Sequence, residues 1–240
     1  MRIFVQLIVV ISISFLLGGC LYPQAEKLKN QVPYKAQIDM VQSAVDQFQE
    51  AEQGILPIDT KDATTPIYHK YVIDFSKLSP KYMAEFPENA YESGGFFQYV
   101  LVNVDNDPTV KLLDVRVAQK IQDLTLRLNA YRQANGYPPF KERLANHVFT
   151  LDYEKLGLKE APTVTSPFSQ KELSLIVDGE GEIYVDYTPD LYEALQQYEG
   201  EIKQGDDIRE ILVKTSDFVP AYSLAYTINH ERTKPVFLEQ

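Results

Sequence analysis

His69-Lys-Tyr-Val-Ile-Asp74-Phe75-Ser-Lys77-Leu78 returns 78 residues later as His147-Val-Phe-Thr-Leu-Asp152-Tyr153-Glu-Lys155-Leu156. His, Asp, Lys and Leu are identical, and an aromatic residue follows the Asp in both. A repeat of this kind sets the architecture before any single element is assigned. Upstream of the first copy, Ile38, Val41, Val45 and Phe48 are spaced 3, 4 and 3 apart. That spacing lines one face of a helix. Ile121, Leu124, Leu128 and Tyr131 repeat it before the second copy. Each helix then meets a stop, Gly54-Ile-Leu-Pro57 or Gly136-Tyr-Pro138-Pro139. Glycine accepts the left-handed turn past a helix end, and proline blocks resumption.

Downstream, Tyr99-Val-Leu-Val-Asn-Val104-Asp105 is set against Glu172-Leu-Ser-Leu-Ile-Val177-Asp178. A turn follows each, Asn106-Asp107-Pro108 or Gly179-Glu180-Gly181, and then a second apolar run, Val110 to Asp114 or Ile183 to Tyr187. These read as β-hairpins. The predicted class is therefore α+β, with two tandem similar units. Each unit is an amphipathic helix, a Gly/Pro stop, an irregular loop, and an antiparallel hairpin. The first unit spans residues 37–114 and the second 115–187. Residues 188–240 read as a C-terminal helix and hairpin extension, which is either a partial third unit or a closing element. Within it Pro189 to Tyr198 reads as a helix. Asp206 caps another through Lys214, and Tyr222 to Ile228 alternates like a strand that Pro235 to Leu238 pairs.

The chain's 240 residues carry 23 Lys+Arg against 34 Asp+Glu, a formal net charge of −11. Binding nucleic acid needs clustered basic residues to neutralise phosphates, so this balance argues against it. One Cys and three His exclude a disulfide framework and a His/Cys zinc cluster, and no cofactor is implied. That single Cys has a particular setting. Met1-Arg2 is followed by a mostly apolar stretch from Ile3 to Leu17, then Leu17-Gly18-Gly19-Cys20. The apolar stretch is short for a membrane span and suits a signal segment. Leu-Gly-Gly-Cys resembles a bacterial lipobox, which implies cleavage between Gly19 and Cys20 and acylation of the Cys20 sulfur. Residues 1–19 are then the lipoprotein signal peptide and 20–36 a lipid-anchored tether. Two or three acyl chains of the palmitate kind hold such a residue to a bilayer.

Two wider resemblances follow. The helix, the Gly-x-Tyr-Pro stop at Gly136 to Pro139 and the Phe97-Gln98-Tyr99 strand resemble the globular heads of type II pseudopilins. Those heads share neither a lipobox nor its anchor, so this resemblance implies the fold alone. From Leu17 to Pro23, with Asn30-Gln31-Val32-Pro33-Tyr34 and Glu92-Ser93-Gly94-Gly95, the chain resembles the YphF-like lipoproteins of Bacillus-type bacteria. That resemblance implies a cell-surface lipoprotein on the extracytoplasmic face of the cell membrane. It supplies no activity and no functional residues.

The residues that invite chemistry each have a plainer use. His69 and His147 occupy matched places, and histidine is the side chain that switches charge near neutral pH, so they are candidate ligand or partner contacts; the plainer and favoured use is as loop histidines bonded locally. Asp74 and Asp152 suit helix capping better than metal binding. Asp105-Asn106-Asp107 and Asp178-Gly-Glu180 lack the calcium-loop spacing and suit hairpin turns. Glu92-Ser93-Gly94-Gly95 lacks the Lys-Ser/Thr of a phosphate loop and suits a flexible lead-in to the strand. Tyrosine joins apolar area to a polar tip. Of the chain's sixteen, Tyr184, Tyr187, Tyr192, Tyr222 and Tyr226 are the candidate recognition surface. No motif supplies a nucleophile beside a base. The expected function is a non-catalytic binding or scaffold protein, not an enzyme, with the membrane and an envelope protein as partners. The alternative is a solute-binding lipoprotein of a transporter.

Overall fold

A computed structural model describes residues 34–231 and 233–238. The lipobox, its cleavage position at Gly19 and Cys20, and the tether up to Pro33 lie outside the described residues. No helix among the described residues is long and apolar enough to cross a membrane.

Helix α1 runs Tyr34–Ala51 and buries the face that its spacing marks, Ile38, Val41, Val45 and Phe48. Gln53 and Gly54 both turn left-handed after it. Two single-turn helices follow, α2 (Ile67–Lys70) and α3 (Phe75–Leu78), and then the hairpin β1 (Phe97–Val102) with β2 (Thr109–Asp114). Helix α4 (Arg116–Asn135) buries Leu124 and Leu128 and ends on left-handed Gly136, whose N–H reaches the Arg132 carbonyl. Beyond it lie β3 (Phe140–Ala145), β4 (Val148–Leu151), β5 (Thr163–Thr165), β6 (Glu172–Asp178) and β7 (Ile183–Val185). These five strands form one antiparallel sheet. Helices α5 (Thr188–Gln197) and α6 (Arg209–Thr215) and the hairpin β8 (Tyr226–Ile228) with β9 (Pro235–Phe237) complete the chain.

The segments between stop and hairpin are not irregular in the second half. They form β3 and β4. In the first half, the segment between the helix stop and the hairpin makes isolated bridges, Ile58 to Ile73 and Val72 to Val100. In the second half Phe140 faces Leu151, and Thr150 faces Ile176. The Asp74 N–H donates to the Pro57 carbonyl at 2.8 Å, and the Asp152 N–H donates to Pro139 at 2.8 Å. Tyr99, Val100 and Leu101 are buried in β1, as are Leu175, Ile176 and Val177 in β6, whereas Glu172 is exposed.

Two main cores result. One gathers α1, β1 and β2 around Leu78, Tyr99 and Leu112. The other gathers α4 and the five-stranded sheet around Leu128 and Val177, and takes in Leu191, Ile211, Leu212, Tyr226 and Ile228. Residues after 188 are thus part of the second core. The segment Asp217 to Tyr222 serves both sheets. The Leu112 N–H donates to the Asp217 carbonyl at 2.9 Å, and the Val185 N–H donates to the Tyr222 carbonyl at 2.8 Å. A smaller apolar cluster of Tyr68, Val72, Val100, Leu113, Val213, Val219 and Ala221 seals the join.

Candidate functional site

The join between the cores holds most of the chemistry. His69 leaves α2 half-buried there. Its Nε2 accepts the Tyr222 backbone N–H at 3.3 Å, and the two rings meet edge to face at 4.4 Å. An accepting Nε2 must be unprotonated, and burial lowers the imidazole pKa in the same sense. Tyr222 itself has a φ of 55°, a left-handed conformation that is costly for a residue with a side chain. Two candidates far apart in sequence are therefore brought together.

His147 is placed elsewhere. It is exposed at the turn between β3 and β4, with a left-handed φ of 57°. It lines a 610 Å³ cavity with Tyr184, Asp178 and Phe237. The Tyr184 hydroxyl donates to Asp178 Oδ2 at 3.2 Å, and burial together with that carboxylate pushes its pKa up to about 12. The other oxygen, Oδ1, accepts the backbone N–H groups of Glu180, Gly181 and Glu182, each at 2.9 Å. Asp178 is the organiser of a hairpin turn. His69 and His147 thus sit at matched positions in sequence but in unlike surroundings, and they do not form a pair.

Tyr187 and Tyr226 are not surface groups. Both are buried. Tyr187 donates to the Ala221 carbonyl at 3.1 Å, and Tyr226 donates to Asp186 Oδ1 at 3.0 Å. Their phenols bond inward because burying an unpaired hydroxyl is costly. Tyr192 is exposed on α5. Asp74 caps α3 as expected, accepting the Ser76 N–H at 3.0 Å, and pairs with Lys77. Asp152 pairs with Lys155 at 3.1 Å. Asp206 does not cap α6, whose N-cap position is Ile208 and has no side-chain cap bond; Asp207 just before it accepts the Arg209 N–H on Oδ1 at 3.1 Å while its carboxylate receives the Arg209 fork. Gly95 is a fitted contact more than a flexible lead-in. A Cβ on Gly95 would stand 2.1 Å from the Asn89 carbonyl oxygen.

Two cavities lie along the join, and Pro167 and Phe218 line both. The first, 640 Å³, is bordered by Lys35 of α1, Lys111 of β2, Ser169 of the turn between β5 and β6, Asp190 and Glu193 of α5, and Lys214 of α6. Sequence reading passed over Asp190, because an acid in the first turn of a helix is an ordinary sight. Its burial distinguishes it: Asp190 is 3% exposed. Its Oδ2 accepts the Ser166 hydroxyl at 2.7 Å, while Oδ1 has no hydrogen-bond partner. Ser166 is fully buried and its Oγ accepts the Phe168 and Ser169 N–H groups. Burial raises the Asp190 pKa against the pull of those serines.

The second cavity, 610 Å³, has Arg116 forked onto Asp114 with its guanidinium over Phe96 and Phe97. Across it Glu172 accepts the hydroxyls of Thr163 and Thr165, which hold its carboxyl below the usual range. No three of His, Cys, Asp and Glu among the described residues converge as metal ligands would.

Residues 34–114 match the YphF family N-terminal domain. The match starts at the first residue of α1 and ends at the last residue of β2, so it covers the first core without the segment at 217–222 that joins it to the second. No curated protein and no solved structure matches the chain.

Proposed function

We propose that this is a membrane-anchored extracytoplasmic lipoprotein that acts by binding and not by catalysis, built from two copies of one α+β unit held at a common join. The reading of the N-terminus rests on Leu17-Gly18-Gly19-Cys20, with acylated Cys20 as the anchor and residues 20–36 as the tether. The matched pairings around Asp74 and Asp152 support the duplication. The observation that carries the binding reading is the join itself. One segment bonds both sheets, and a 640 Å³ cavity beside it draws side chains from α1, β2, α5 and α6. A surface assembled from both halves fixes a partner against a single frame, as a scaffold for an envelope protein requires.

The cavity also favours the second reading, a solute-binding lipoprotein of a transporter, since its size falls within the roughly 300–1,000 Å³ of small-molecule sites. The antiparallel sheets here differ from the parallel βα lobes usual for that role. In-cell crosslinking of the lipidated protein, with Cys20→Ala as the mislocalised control, separates the two. Capture of one envelope protein that is lost in the control is the result expected of a scaffold. Capture of a permease selects the second reading, and turnover of an envelope substrate by the purified protein overturns both.

A further inference from the structure

We propose that the open edge of β5, which faces the second cavity of the join, is a strand-addition site: it takes an extended, acidic segment of a protein partner as one more strand of the sheet. The inference rests on the scaffold reading above and specifies how the partner is held.

Backbone geometry carries the argument. Strand β5 pairs with β6 in the register Thr163 with Ser174, Val164 with Leu173 and Thr165 with Glu172. One residue further on, the Ser166 N–H donates to the Lys171 carbonyl at 2.8 Å. Bonding alternates along an antiparallel pair, so Val164 also bonds towards β6. Thr163 and Thr165 therefore turn their N–H and C=O groups the other way. Those outward groups meet no hydrogen-bond partner among the described residues. The edge that carries them lines the 610 Å³ cavity.

The path of strands ends at β3 and at β5, and the two ends are treated differently. Strand β3 carries Lys141, Glu142 and Arg143 in succession, and its register against β4 is irregular. Charge and irregularity protect an exposed edge from pairing. Strand β5 has neither protection. Thr163, Val164 and Thr165 are uncharged, all β-branched and regular in register, which is the composition that a pleated neighbour fits.

The cavity in front of this edge defines the segment. Tyr34, Phe97 and Phe218 of the first core form an aromatic wall there, with ring centroids 5.3, 5.6 and 6.1 Å apart. They supply apolar surface to a side chain of the added strand, while its backbone pairs with the edge. The unspent polar groups are cationic. Arg116 gives Nε and Nη2 to Asp114, and its Nη1 donates to nothing among the described residues. Lys120 is exposed and forms no ion pair among them. The two acids that line the cavity are already engaged, Asp114 by Arg116 and Glu172 by the hydroxyls of Thr163 and Thr165. A carboxylate on the incoming segment meets donors and no free acid.

The test uses the full chain in detergent micelles. A phage-displayed library of random peptides, each about twelve residues long, is panned against it, and the selected peptides are synthesised as probes for calorimetry. They should carry Asp or Glu among β-branched and aromatic residues. Thr165→Pro removes an outward N–H and no bond of the β5–β6 ladder, a placement proline tolerates at a sheet edge. It should keep the wild-type melting temperature and weaken binding at least about tenfold, which is ~1.4 kcal/mol. Lys120→Glu, on the exposed surface, is the second variant and should weaken binding by reversing the charge. Hydrogen exchange followed by NMR should show the Thr163 and Thr165 amides slowed by bound peptide and the Val164 amide unchanged. Failure to select any peptide, binding unchanged in either variant, or protection that spares Thr163 and Thr165 overturns the proposal. A dimer of the free chain that Thr165→Pro dissociates also overturns it, by assigning the edge to a second copy. The crosslinking result stands apart: a captured envelope protein with no peptide at this edge removes the site and leaves the scaffold.

Discussion

At the scale of single residues, His69 and Gly95 illustrate two ways in which surroundings override identity. His69 is bound as a neutral acceptor at the join, and burial depresses its pKa. As the pH falls, the unfolded chain takes the proton first, at about 6.5. The His69 contribution is therefore constant above that pH and is lost as the pH drops through it towards the folded-state pKa. His69→Gln keeps an acceptor for the Tyr222 N–H without titrating. Chemical denaturation between mildly acidic and neutral pH should show a smaller loss of stability in that variant than in wild type; identical slopes would disprove the assignment. Gly95 is required for closeness. Its missing Cβ leaves room for the Asn89 carbonyl, and the Gly95 N–H donates to Ala90 at 2.8 Å. Gly95→Ala must displace backbone, so it should cost about 1–3 kcal/mol, read as a lower urea midpoint. The neighbouring Gly94 has open space where a Cβ would go but a φ of 83°. Its replacement strains the backbone without a clash. The sequence read Gly95 as a flexible lead-in and did not mark Asp190 at all, because only the atoms packed against them make either one special.

At the scale of elements, local patterning was sufficient where one face alone is buried. The 3–4 spacing placed α1 and α4 and named their buried faces, and the Gly/Pro stops ended them. The hairpins β1–β2 and β6–β7 followed from paired apolar runs with turn residues between them. Strand β3 did not. Phe140 to Ala145 is largely exposed and carries two register irregularities against β4, so no alternation marks it. It is a strand because β4 offers a ladder, and β4 is one because β6 does. Within the β6–β7 hairpin, Asp178 replaces three separate turn bonds with one carboxylate oxygen. Asp178→Ala should therefore destabilise by about 1–3 kcal/mol, and hydrogen exchange of the Glu180, Gly181 and Glu182 amides should rise together. A protected turn in that variant would show that the β6–β7 ladder alone holds it.

At the scale of the whole molecule, the C-terminal segment decides cohesion. Asp217 to Tyr222 bonds β2 on one side and β7 on the other, and Phe218 packs into the first core while Tyr222 packs on the second. Two cores that share such a segment should unfold together. A chain truncated after Ser216 loses both edge bonds, and it also loses Tyr226 and Ile228 from the second core. It should lack a cooperative melting transition and the aromatic circular-dichroism signal of the full chain. A truncated protein that keeps a transition for residues 34–114 would show the first core to be independent.

Composition and periodicity by themselves determined the α+β class, the buried faces of the two long helices, their ends, and the hairpins. All of these depend on residues within a turn or two of one another, and chain geometry converts such spacing directly into a face. The sequence also marked Cys20 as a candidate anchor, through residues adjacent to it. Tertiary structure alone decided that His69 meets Tyr222, that Tyr187 and Tyr226 bond inward, and that His147 stands apart. It alone decided that residues after 188 complete the second core, and that Asp190 keeps an unpaired oxygen beside a cavity. Each of these depends on burial or on a partner distant in the chain, and the cost of a buried polar group is set by the atoms around it, not by its neighbours in sequence.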